Sequence, residues 1–325
     1  MWRLTDRIQL GEKPNDFLAV GELLVDMISE RYDDIIHNDT YHKFFGGSAS
    51  NLALNVKKLG HRSVVASAVG RDGFGEFLKY KLEQAGIPLD YIQEADCSTS
   101  MVVVSKSKTS PVPIFYRGAD YHLSYTPELE NAVKNSKIVH FSCWPISMPP
   151  SRSTIEKAIE TARANGTFIG FDPNYHPMIW NKGEDGVAYV KSIISRVDVI
   201  KPSEDDAERL FGKDTPENQI RKFLDLGARL VVMTLGKDGS IVSNGTETVW
   251  LNSIATQVVD ATGAGDAFWA GFYTGVLRGY PILEAVKIGS AVSAHKLKCL
   301  GPVAQFPDLE EMMSSESYRG MEARS

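Results

Sequence analysis

The chain has 325 residues, 43% of them hydrophobic and 23% charged, a composition that suits one large globular α/β domain. Its formal net charge of −6, with no cluster of Lys and Arg, excludes a general nucleic-acid binder, which needs excess cations against phosphate. No apolar run approaches the ~18 residues needed to span a bilayer.

In chain order, "MWRLTDRIQLGEKPNDF" carries charges throughout and lacks the apolar centre of a secretory leader, so a cytoplasmic protein is expected. "FLAVG" at 17–21 reads as a buried strand. Residues 22–45 then read as short strands and turns. "FFGGSASNLALNVKKLG" at 44–60 is a glycine-rich helix entry with Ala49, Leu52, Ala53, Val56 and Leu59 on one stripe, Asn51 and Asn55 one turn apart, and Gly60 as the stop. After the strand "VVASAVG" at 64–70, residues 98–126 again read as short strands, including "MVVVSKS" and "PVPIFYRG". These two β-rich segments are expected to form a small flap on the main domain.

From there strand and helix signals alternate. "KIVHFS" at 137–142, "TFIGFD" at 167–172, "VDVIK" at 197–201 and "LVVMT" at 230–234 are nearly continuous apolar runs, as for strands covered on both faces. "STIEKAIETARANG" carries an apolar helical stripe that ends at Gly166, and "DTPENQIRKFLDLG" offers Thr215 as N-cap, Pro216 at the first position and Gly227 as stop. The alternation predicts a mostly parallel sheet with helices on both sides. The three cysteines, Cys97, Cys143 and Cys299, lie far apart and fit reduced thiols, and the seven histidines show no metal-ligand spacing.

"VDATGAGDAFWAGF" at 259–272 joins glycines to a helix start near Gly265, with Phe268, Gly271, Phe272 and Gly275 at helical spacing. Such a turn aims N–H groups at one point and adds the positive end of the helix dipole, which suits an anion. Asp266 there has two readings. It favours the helix N-terminus electrostatically, or it is a base accepting a proton from a hydroxyl that attacks phosphorus.

"GGSASNLALNVKKLG" and "DATGAGDAFWAGF", in that order, resemble the two signatures of the ribokinase-like (PfkB) carbohydrate kinase family, and the resemblance runs from about Phe17 to Pro307. It implies a three-layer α/β/α sandwich over a single domain, residues 1–325, with a β-sheet lid formed by about 22–45 and 98–126. It implies ATP and Mg²⁺ as cofactors. Asp266 matches the catalytic base, and Gly263, Ala264, Gly265 and the Asp266 backbone match the anion hole. Asp26, Gly46, Gly47 and Asn51 match sugar contacts. "TLGKDG" looks like the nucleotide loop, with Thr234, Gly236 and Gly239 as contacts. In "KPSEDDAERL", Ser203 and Asp206 stand where the family has Asn-x-x-Glu, associated with Mg²⁺ and phosphate placement; the same Ser-x-x-Asp also reads as a helix capping box. Relatives often dimerise through lid strands and often take K⁺ near residues 294–301.

"IFYRGADYHL" and "FDPNYHPMIW" resemble bacterial fructokinases, with 2-keto-3-deoxygluconate kinases next. They bring Arg117, Asp120 and Asn174 toward the acceptor. His176 stands where both relatives commonly have Arg, which weakens the sugar-acid reading. The implied reaction is phosphorylation of D-fructose at its 6-hydroxyl. The competing readings are a nucleoside kinase, disfavoured because the lid offers Tyr116 and Tyr121 but no obvious base-stacking pair, and a non-catalytic sugar or nucleotide sensor, against which the intact Asp266 argues.

Overall fold

The computed structural model describes residues 2–32, 37–106 and 113–324. Residues 33–36 and 107–112, both within the segments expected to form the lid, lie outside the described residues. In chain order the first strands are β1 (Asn15–Val20), β2 (Leu24–Tyr32), β3 (Tyr41–Gly46), β4 (Ser63–Gly70), β5 (Ile92–Ala95), β6 (Met101–Lys106) and β7 (Ile114–Tyr116). They are followed by β8 (Ser136–Ser142), β9 (Phe168–Asp172), β10 (Val199–Ile200), β11 (Val231–Thr234), β12 (Ser240–Ser243), β13 (Thr248–Leu251) and β14 (Ala323–Arg324).

The main sheet runs β14-β13-β12-β11-β10-β9-β8-β1-β4-β5, parallel from β5 to β11 and antiparallel beyond. All six apolar runs read as strands are found in it. Their sequences are apolar at consecutive positions because each face meets its own core. In β1, Phe17 and Ala19 enter one core while Leu18 and Val20 enter the other; in β4, Val65 and Val69 alternate in the same way with Val64, Ala66 and Ala68. Each such buried Phe, Leu or Val side chain contributes ~1.5–3 kcal/mol. This is the expected three-layer sandwich.

The helices start and stop where capping chemistry dictates. Thr215 Oγ1 accepts from Asn218 N ahead of Pro216. Ser203 and Asp206 exchange both bonds of a capping box at the head of the Glu204–Phe211 helix. The Ala264–Leu277 helix packs on the Ile282–Lys296 helix through Gly271 and Gly275, where an added Cβ would stand 2.8 Å from Ile288 O and 2.7 Å from Ala285 Cα. A separate sheet, β3-β2-β6-β7, pairs β2 with β3 and β6 with β7 antiparallel, and β2 with β6 parallel. Among the described residues no helix is long and apolar enough to cross a membrane.

Candidate active site

The parallel strands β1, β8, β9, β10 and β11 all end on one side, and each exit delivers a polar or aromatic group there: Glu22, Trp144, Asp172, Lys201 and Thr234. Neighbouring β1 and β8 are followed by strands on opposite sides of the sheet, a topology that opens a crevice at their carboxyl ends. A cavity of about 410 Å³ lies in this region, lined by Asp26, Gly47, Ser48, Asn51, Asn174, Asp206 and Asp266, among others. A second cavity of about 590 Å³ is lined by Gly236, Gly239, Lys237, Ala264 and Phe268. The two share Ser203, Thr234 and Gly265. Asp26, Gly47, Asn51 and Asn174, expected at the acceptor, and Gly236 and Gly239, expected at the nucleotide, therefore sort into adjoining cavities that meet at the expected anion hole.

At that junction Gly263 holds the left-handed conformation (φ 74°) and a Cβ on it would stand 2.4 Å from Pro302 O, so both backbone and space demand glycine. The N–H groups of Gly263, Gly265 and Asp266 have no acceptor among the described residues, whereas that of Ala264 is taken by Ala261 O at 3.1 Å. The expected anion hole is corrected accordingly: the Ala264 amide is already spent on its own turn, and three donors remain. Asp266 is buried, and its Oδ1 accepts from Ser48 Oγ at 2.6 Å.

Carboxylates crowd the acceptor cavity. Burial raises Asp266 to about 7, with Asp172 adding to the rise and the Ser48 bond opposing it. Burial, then the Asp266 charge, raises Asp26 to about 7. Asp26 stands against Gly46, where a Cβ would lie 2.2 Å from its Oδ2. Glu22 is raised to about 8, again chiefly by burial. Its Oε1 accepts from Ser48 N at 2.7 Å, while Oε2 is buried without a partner among the described residues.

A raised carboxyl stabilises the fold fully below its unfolded pKa, and loses that contribution as pH rises through the folded value. For Glu22 the window runs from about 4.3, the free-chain value, to about 8. The thermal midpoint should therefore fall between pH 5 and 9, and Glu22→Gln should gain on the wild type as pH rises. Parallel curves for the two proteins would remove Glu22 from this role.

Lys201 was not singled out in the sequence, yet it is the one Lys or Arg in the acceptor-cavity lining among the described residues. Its Nζ lies 3.2 Å from Asp172 Oδ2, which also accepts from Trp269 Nε1 at 2.7 Å. Glu22, Ser48, Asp172 and the edge-to-face pair Phe115–Trp144 (5.3 Å) were likewise missed. A charge ending an apolar strand run, as in "VDVIK", was the available signal.

Three expected acceptor contacts, Gly46, Arg117 and Asp120, do not line the cavity; Gly46 stands behind Asp26. Arg117 Nε donates to Asp120 Oδ2 at 2.8 Å, its Nη1 to Ser147 Oγ at 2.9 Å, and it stacks on Trp144 at 4.5 Å. Asp120 also accepts from Trp144 Nε1 at 2.7 Å and from Ser100 Oγ. The pair is consumed in bracing the cavity wall behind Trp144. Asp206 spends one carboxylate oxygen on Tyr175 N and the other on Ser203. Tyr116 and Tyr121 do not line the cavity, and His176 packs edge-on against Phe115 with its pKa lowered by burial.

Comparison with known proteins bears on this arrangement. An ATP-dependent 6-phosphofructokinase of Thermoanaerobacterium thermosaccharolyticum is 55% identical over 97% of this chain and 98% of its own. The solved fructokinase of Halothermothrix orenii is 39% identical, with a TM-score of 0.77 over 85% of this chain and 97% of its own. A sugar kinase of Pyrococcus horikoshii, solved in complex with ATP, is 28% identical, with a TM-score of 0.79 over 93% of this chain and 99% of its own. The profile of the pfkB family of carbohydrate kinases matches residues 15–309, and the chain belongs to that family.

Proposed function

We propose that this carbohydrate kinase transfers the γ-phosphoryl group of ATP to a hydroxymethyl group of a fructose-type acceptor, and that the acceptor is fructose 6-phosphate. The observation that carries the chemistry is the junction of the two cavities, where buried Asp266 meets the unbonded N–H groups of Gly263 and Gly265. The 55% identity to a 6-phosphofructokinase supports the acceptor. D-Fructose, phosphorylated at its 6-hydroxyl, is the second reading. It is favoured by a cavity lined with five carboxylates and one lysine, which suits a neutral polyol better than a phosphorylated one.

In the proposed step, Asp26 and Asn51 orient the acceptor and the four-stranded sheet covers it through Asp26, Val102 and Phe115. Asp266 in its ionised form takes the proton of the attacking hydroxyl as the new O–P bond forms. The bond to ADP breaks, and the N–H groups of Gly263, Gly265 and Asp266 hold the phosphoryl oxygens while Lys201 offsets their charge. Excluding water keeps the base from driving ATP hydrolysis. Mg²⁺, when bound with the nucleotide, would supply charge neutralisation at the phosphates. Among the described residues no cluster of three metal-ligating side chains exists for it, so the chain itself supplies no cage. Both Asp206 oxygens already accept hydrogen bonds, which leaves contact through water as its mode. A homodimer through the four-stranded sheet, with Phe44 36% and Tyr116 55% exposed, belongs to the same reading. So does a cytoplasmic location, supported by three free cysteines.

A coupled ADP-release assay over fructose 6-phosphate, D-fructose, 2-keto-3-deoxygluconate and adenosine tests the assignment. Fructose 6-phosphate should give the highest kcat/KM; a maximum at D-fructose establishes the second reading, and no turnover with any of them defeats both. Gly46→Ala, by driving its Cβ into Asp26, should raise the acceptor KM by ~10-fold or more while the KM for ATP stays unchanged. An unchanged acceptor KM would dissociate Asp26 from acceptor binding.

A further inference from the structure

The resemblance placed a potassium ion near residues 294–301, but a cation of the chain's own already stands there. Lys296, at the end of the Ile282–Lys296 helix, is 0% exposed. Its Nζ donates to Asp260 O at 2.8 Å and to Cys299 O at 3.3 Å. A fully buried lysine is rare and persists only where oxygen atoms replace its water. Burial lowers its pKa, and the charges of Asp260, Cys299 and Asp266 act against that fall.

These two carbonyls belong to two loops whose contact shapes the anion hole. The Asp260 loop runs directly into Gly263–Asp266. The loop after the helix is bound to it at several points: Val259 N donates to Leu297 O at 2.7 Å, and Gly301 N to Asp260 Oδ2 at 2.8 Å. Ser293 Oγ donates to Ala264 O at 3.0 Å, and Pro302 O is the atom that would meet a Cβ on Gly263. Potassium binds by collecting oxygen dipoles. Here the converging dipoles are already collected by an ammonium group, and a second cation beside it would be repelled. The residues do not fit the ion.

We infer that Lys296 is the built-in monovalent cation of this enzyme, tying the anion-hole loop to the loop after the helix so that potassium has neither a site nor a role. Lys296 touches neither acceptor nor nucleotide and acts as a positioning residue. The inference rests on Gly263–Asp266 being the catalytic end of the site.

The test begins with the unaltered protein in KCl, NaCl or choline chloride at equal ionic strength. Its kcat should agree within about twofold among the salts, and its thermal midpoint within about 1 °C, since an ion that binds only the native state raises the midpoint. Activation or stabilisation specific to K⁺ overturns the inference. The midpoint needs no acceptor, so this outcome is distinguishable from failure of the acceptor assignment. Lys296→Met keeps the apolar stem and should lose ~10-fold or more in kcat with the acceptor KM unchanged. Lys296→Ala opens the space, and NH₄⁺ or K⁺ should raise its kcat severalfold where neither affects the wild type. Full activity of either variant in choline chloride, or an alanine variant that no cation restores, overturns the inference. The salt comparison on the wild type decides the matter where the variants do not fold.

Discussion

Asp266→Asn is expected to lower kcat by ~10²–10⁴-fold, the range for removing a general base, with the acceptor KM little changed. The amide keeps the size of the carboxyl and still accepts from Ser48 Oγ, so the cavity keeps its shape. What it loses is the ability to receive a proton. The wild-type pH profile carries a second signature. With Asp266 raised to about 7, kcat/KM should climb as pH rises through that value, because only the ionised form acts as base. In the asparagine variant that limb should vanish along with the activity. Turnover near the wild-type rate would mean that Asp266 serves the helix N-terminus alone.

The second large effect is expected at Lys201. Lys201→Met removes the cation from the junction of the cavities, and loss of one preorganised electrostatic partner lowers kcat by ~10²–10³-fold. It also strands Asp172, whose Oδ2 then keeps only Trp269 Nε1. Breaking a buried pair from one side costs about 3–5 kcal/mol, so stability should fall as well. Adding Asp172→Asn separates the two losses. The double variant should recover most of the thermal midpoint and none of the activity. If activity returned together with stability, Lys201 would be a structural partner of Asp172 and nothing more.

Both residues show how far the chain could be read before it was seen folded. The place of Asp266 in the cavity was legible because two glycines and a helical stripe occupy adjacent positions. Gly47 and Asn51, read from a similar glycine-rich helix entry, also line the cavity. Lys201 was not legible, because a lone lysine after an apolar strand looks the same whether it faces solvent or a cavity. Arg117 and Asp120 failed in the other direction. Their spacing suggested groups offered to a ligand, yet three residues apart they satisfy one another, and Trp144 and Ser147 take what is left. Lys296 sat among the residues expected to surround a potassium ion, and only the folded chain shows its ammonium directed at Asp260 O and Cys299 O.

What the sequence determined by itself is whatever periodicity and local turn chemistry encode. That covers the six buried strands, the capped helices, the layered α/β class and the glycine-framed ends of the site. The tertiary structure alone decided which charges are buried and which face each other. Glu22 and Asp26, close in sequence, share one cavity with Asp172, Asp206 and Asp266 from three distant parts of the chain. Their mutual repulsion, the loss of water around them and the placement of Lys201 depend on distances through space, which strand and helix patterns do not contain.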